Sequence, residues 1–272
     1  MEQNKQLIIS HLQRIANILL INGGFLKNPG LYTGEMGLAL FFYYYAKHTE
    51  DMAYGDYAFE LLERVYDSIH EETPIYYKNG LAGIGSTIEF LVQEGYIESD
   101  TDEILEDFDD RIFSVRNIPN LSIEELVGIS YYAIWRISGS HSRKKILINE
   151  ILPQIVKVMD EWCSSNNLTH SAIEVFKNII EHETTVLKHD LQLVIPARDR
   201  LICWNSPYVS VSGPSPRFLE IMSGNEIFTR DILDLGFRNG LVGIGMTLLS
   251  ELDDDAGFSW TSLLPSVNPV TG

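Results

Sequence analysis

The sequence predicts an all-α fold, an α/α toroid in which an inner ring of glycine-started helices is wrapped by an outer ring of amphipathic ones. Three observations carry this expectation. The heptapeptide NGLAGIG (79–85) returns as NGLVGIG (239–245), and Thr87 is matched by Thr247. Each copy opens an apolar run, and the segments between copies have polar, acid-rich faces. A phrase repeated at long range marks a chain built from similar units that bury their apolar faces on one another. A helix apolar over most of its surface has to be enclosed. An open solenoid of helix pairs is the competing arrangement, but solenoids need polar end caps. The last copy here is one of the two best, which favours closure.

Taken in order, Ile8, Ile9, Leu12, Ile15, Leu19 and Leu20 recur at helical spacing before Asn22-Gly23-Gly24 ends the first helix. In TGEMGLALFFYYY (33–45), Gly34 and Gly37 align with Gly80 and Gly83, 46 residues on. Ala58, Leu61, Leu62, Val65 and Ile69 form the stripe of an outer helix. After the 79–85 copy, Ile104, Leu105, Phe108 and Ile112 form another, with Ser99 or Asp100 as cap and Glu103 at the capping-box position. EELVGISYYAIW (124–135) places Gly128 45 residues after Gly83, its first glycine replaced by Glu125. Ile148, Ile151, Leu152, Ile155, Val156 and Met159 form a third outer stripe, with a break or kink expected at Pro153. A copy without glycines is inferred near Ile173. The Pro-, Ser- and Gly-rich stretch 204–225 reads as an insertion before the last copy. The whole chain, 1–272, reads as a single domain.

A net charge of −18 argues against nucleic acid or an anionic membrane surface as partner. No apolar run is long enough to span a bilayer, and the N-terminus has no secretory signal pattern. Two cysteines make no disulfide framework, and a cytoplasmic location is expected. The acidic residues between Glu94 and Asp110 read as the solvated face of an outer helix, open to a basic partner or leader peptide. Tyr43-Tyr44-Tyr45, Tyr76-Tyr77 and Tyr131-Tyr132 read mostly as core.

Each glycine within a helix costs about 1 kcal/mol relative to alanine, so the glycine-rich helix starts need a reason. One is close backbone packing. The other is that bare helix N-termini face a cleft, where free N–H groups attract an anionic ligand.

A series of α-hairpins whose inner helices begin G-x-x-G, ending in a copy like NGLVGIG, resembles the lanthionine synthetase C-like (LanC-like) family. The resemblance implies an α/α barrel with a cleft at one end. It also implies, for its cyclases, addition of Cys thiols to dehydrated residues on a zinc ion held by two Cys and one His. Where those cyclases read Cys-His-Gly, this chain has Arg238-Asn239-Gly240 and Lys78-Asn79-Gly80, and neither Arg nor Asn replaces a thiolate or imidazole on zinc. Cys163, His170 and Cys203 are the one candidate zinc trio, with helix-end and core roles favoured for them, so no cofactor is expected. The expected function is therefore a LanC-like peptide-binding accessory or maturation factor. Glu35, Lys78, Asn79, Arg238 and Asn239 would form its binding site at the glycine-started helix ends. The alternatives are a sugar-acting toroid enzyme using inner-helix carboxylates (Glu35, Glu89, Glu125), and a non-catalytic interaction module.

Overall fold

The computed structural model describes residues 2–114, 123–139, 235–237 and 240–252, together with 153, 154, 157, 209, 210, 213, 214, 260 and 263. Among the described residues, the helices with both bounds defined are α1 (Glu2–Asn22), α2 (Glu35–Thr49), α3 (Met52–Asp67), α4 (Leu81–Gln93), α5 (Thr101–Ile104), α6 (Glu106–Ile112), α7 (Ile123–Ser138) and α8 (Leu241–Leu252). The chain is all-α as expected. Within the 204–225 segment, Val209–Ser210 and Gly213–Pro214 form a short antiparallel ladder, Val209 opposite Pro214. The expected third outer stripe and the copy near Ile173 lie outside the described residues, apart from Pro153, Gln154 and Lys157, which are helical.

The chain packs as two compact units. One comprises Met1–Thr73, Lys78–Gly80 and Asn205–Thr261; the other comprises Pro74–Tyr77, Leu81–Trp204 and Ser262–Gly272.

In the first unit, α2 packs on α3, and α8 packs on both α1 and α2. Every residue of α2 from Glu35 to Tyr45 is buried, as is every residue of α8 from Leu241 to Leu249. These are the glycine-started helices, enclosed as their all-round apolarity requires. On α1 the buried row is His11, Leu12, Ile15, Ala16 and Leu19, whereas Ile9 and Leu20 are exposed. The expected stripe is thus narrower than the periodicity suggests, because only the i, i+3, i+4, i+7 row meets other helices. Asp51 caps α3 by accepting from the Ala53 N–H at 3.0 Å. Ala58, Leu61 and Val65 are its buried face. Because α3 ends at Asp67, Ile69 falls beyond the helix.

In the second unit, α4 packs on α7 and α6, and Leu81 to Leu91 are all buried. The single acidic helix expected over 100–112 is two short ones, α5 and α6, meeting at Leu105. Asp100 caps the first by accepting from the Asp102 N–H at 2.9 Å. Leu105, Phe108 and Ile112 are buried, as their spacing predicts.

The two best motif copies pack alike. A Cβ at Gly85 would lie 2.5 Å from the Tyr132 ring, and one at Gly245 would lie 2.5 Å from the Phe41 ring. Tyr132 and Phe41 hold equivalent places in their own copies, four residues after Gly128 and Gly37. The second copy therefore receives a ring from the third, and the last copy receives the corresponding ring from the first. Thr87 and Thr247 also have one role, each donating its hydroxyl to the carbonyl four residues back, Gly83 at 2.8 Å and Gly243 at 2.9 Å.

Candidate functional site

The loops that start α2, α4 and α8 are laced together in the first unit. Tyr32 donates its backbone N–H to the Lys78 carbonyl at 2.8 Å, and Phe237 donates its own to the Tyr32 carbonyl at 2.8 Å. Tyr32 and Lys78 are equivalent, each two residues before its motif glycine. Beside this relay, the Asn79 side-chain oxygen accepts from the Thr33 N–H at 3.1 Å and from the Thr33 hydroxyl at 3.0 Å. Asn28 organises the first loop. Its side chain accepts from the Gly30 N–H at 2.8 Å and its carbonyl from the Glu35 N–H at 2.8 Å.

The glycines serve this lacing. A Cβ at Gly30 would lie 2.2 Å from Asn79 Cα, inside the neighbouring loop's backbone. At Gly37 and Gly243, equivalent positions, a Cβ would strike the Leu31 and Phe237 carbonyl oxygens at 2.3 and 2.0 Å. The helix starts also close on their own loops with a seven-residue reach. Glu35 N–H bonds Asn28 O, and Met36 bonds Pro29. Val242 bonds Leu235, and in the second unit Leu81 bonds Pro74. Several of the amides that a helix start leaves open are thereby engaged. Close packing accounts for the glycines at these positions.

What faces outward from the lacing is a polar rim. Thr33 is exposed, and Asn28, Lys78 and Asn79 are half-buried. Glu35, in the first turn of α2, is buried and forms an ion pair with the half-exposed Arg64 of α3. The hydrogen bond with Glu35 raises the Arg64 pKa. Burial raises that of the neighbouring Tyr57, with Arg64 opposing it.

The second unit holds a group that the sequence reading missed. Arg136 of α7 is fully buried and binds the Glu89 carboxylate of α4 at 2.8 Å, Asp109 of α6 at 2.8 Å and Asp102 of α5 at 3.3 Å. Tyr132, one turn earlier, donates to Asp109 at 2.6 Å. Burial, then the Asp109 charge, pushes the Tyr132 phenol well above its ordinary range. Burial opposes the Arg136 charge, but its bonds to Asp109 and Glu89 outweigh that and raise its pKa overall. The acidic run is thus not wholly a solvated face, since Asp109 is buried and Asp102 partly so. The signal was present: Glu89 is the one charge of α4 and Arg136 the one cation of α7, 47 residues or about one repeat apart.

A family model described as "Lanthionine synthetase C-like protein" matches residues 26–177, more than half of the chain. The chain belongs to the lanthionine synthetase C-like family. No curated protein and no solved structure matches it. The matched span of this LanC-like chain includes the first two laced loops, the Glu35–Arg64 pair and the Arg136 cluster. Of the expected LanC-like site residues, Lys78 and Asn79 share one loop of the rim, and Glu35 starts the adjoining helix. Arg238, Asn239, Cys163, His170 and Cys203 lie outside the described residues. Glu35 and Glu89 are each bound to an arginine, and Glu125 is half-buried. Tyr43, Tyr44, Tyr45, Tyr77, Tyr131 and Tyr132 are buried, whereas Tyr76 is exposed. Among the described residues, no helix is long and apolar enough to cross a membrane.

Proposed function

We propose that this LanC-like chain is a peptide-binding accessory or maturation factor for a ribosomally made peptide, acting without zinc-dependent thioether cyclisation. The observation that carries the reading is the use made of Asn79. In the second motif copy, Lys78 and Asn79 stand in the two positions before the glycine, and the Asn79 oxygen is already engaged by two donors from Thr33. Zinc asks for thiolate, imidazole or carboxylate donors, and an ammonium beside an engaged amide does not fit it.

The same rim suits a peptide. Lys78, and Arg64 held at the start of α2 by Glu35, supply cations for carboxylates. Arg238, at the position equivalent to Lys78, would add a planar fork for another. Exposed Thr33 offers polar contacts for peptide amides. The arginine partners of Glu35 and Glu89 favour this reading over a sugar-cleaving one, which needs a carboxylate free to give or take a proton. A net charge of −18 supports a partner other than nucleic acid, and a cytoplasmic setting belongs to the same proposal.

The test is binding of precursor peptides of the kind the LanC-like family processes. Lys78→Ala and Arg238→Ala should each weaken it several-fold. Unchanged binding in both would overturn the reading, and stoichiometric zinc in the purified protein would restore the cyclase interpretation.

A further inference from the structure

Helix α3 carries a second apolar row besides the buried one. Met52, Gly55, Phe59, Leu62 and Tyr66 follow one another in steps of three and four, the spacing of a helix-pairing seam. They are not core. Met52 is 77% exposed, Phe59 50% and Tyr66 48%, while Gly55 and Leu62 are half-buried. Single exposed apolar side chains are ordinary on a protein surface, but a row in register along a whole helix marks an interaction face. At Gly55 an added Cβ would meet only the Ala46 Cβ, at 3.8 Å. The row therefore has a notch between Met52 and Phe59 into which a side chain can insert.

Charge decides the occupant. Asp56, Glu60, Glu63 and Asp67 run beside the apolar row in steps of four, three and four, and all four are exposed. Such flanking positions select partners by charge in paired helices. We propose that this face of α3 docks a basic amphipathic helix of a partner protein, its apolar residues on the Met52–Tyr66 row and its Lys or Arg residues against the acidic row. A second copy of this chain is a poor occupant. Antiparallel pairing would set acid row beside acid row, and each chain carries a charge of −18. The proposal does not depend on the loop rim and stands or falls separately from it.

The probe is a labelled designed helix matching the 16 residues of α3, with Leu at three-four spacing and Lys at the flanking positions, titrated by fluorescence anisotropy. Its Kd should rise about tenfold when salt is raised from about 0.05 to 0.5 M. Phe59→Ser and the pair Glu60→Lys with Glu63→Lys should each weaken binding about tenfold or more. Phe25→Ser, which removes an apolar side chain outside the row that is still more exposed than Phe59, should leave Kd unchanged. Circular dichroism and melting of the variants separate lost docking from lost folding, and Met52→Ser supplies a second probe of the row. The proposal is overturned if Phe59→Ser and Met52→Ser bind as the parent does, or if a peptide with Glu at its flanks binds equally well. It is also overturned if sedimentation reveals a dimer that Phe59→Ser dissolves, which would make a second copy the occupant.

Discussion

Asn79 accepts two hydrogen bonds through one side-chain oxygen, both from Thr33, whose N–H lies at 3.1 Å and whose hydroxyl lies at 3.0 Å. The pair ties the second motif copy to the first across 46 residues. Because Thr33 is exposed, water can replace a lost partner. Asn79→Ala should therefore cost about 1–2 kcal/mol, the net worth of two such bonds. Asn79→Asp keeps the acceptor and should cost less. Urea denaturation distinguishes them; equal losses would mean that the oxygen is not what matters.

The motif glycines should resist substitution in a graded way. Alanine at 245 gains about 1 kcal/mol of helix propensity, but its Cβ would press on the Phe41 ring at 2.5 Å inside a packed core. Overpacking of this kind costs about 1–3 kcal/mol, so Gly245→Ala should be net destabilising and Phe41→Leu should partly rescue it. Gly243→Ala meets the Phe237 carbonyl oxygen at 2.0 Å, and backbone yields less readily than a side chain. It should lower the melting temperature further, with no rescue from Phe41→Leu.

Two arginine–carboxylate pairs should differ by their burial. Arg64 is 43% exposed beside Glu35, so Glu35→Gln should cost about 0–1 kcal/mol. Arg136 is fully buried among Glu89, Asp109 and Asp102. Arg136→Met strands those carboxylates and should cost about 3–5 kcal/mol. Chemical denaturation of both variants checks the contrast, and similar losses would contradict it.

Stability should fall at alkaline pH. Burial pushes the Tyr43 phenol up to about 12, and burial with Tyr54 does the same for Tyr45. In the unfolded chain both release their protons near the ordinary value of 10.0. The folded state thus binds more protons above that pH. The contribution is intact below pH 10 and lost as pH rises towards 12. Melting temperatures across this window should drop, and Tyr43→Phe should lessen the slope; a flat profile would count against buried neutral phenols.

Much of the architecture was legible because burial imposes period. The apolarity of 35–45, 81–91 and 241–249 announced enclosed helices, and enclosed they are. The matching of Thr87 with Thr247 was visible too, and each makes the same bond to the carbonyl four residues back. The failures share a cause. Ile9 and Leu20 belong to the apolar pattern yet face solvent, because periodicity names a face but not how much of it is covered. Asp109 lies in a run of acids, where the local pattern predicts a solvated side chain. Its burial depends on Arg136, 27 residues later, and no local pattern reports a partner that distant.

By itself, the sequence determined the repeat, the enclosed glycine-started helices and their likeness to the LanC-like family, since hydrophobic period and helix-start chemistry are local properties. Only the tertiary structure decided why the glycines are there, and what Asn79, Glu35 and Glu89 do. Those answers depend on which atoms of distant repeats meet at hydrogen-bond or van der Waals distance. At Gly30 that neighbour is the Asn79 backbone, at Gly245 it is the Phe41 ring, and at Glu89 it is the Arg136 guanidinium.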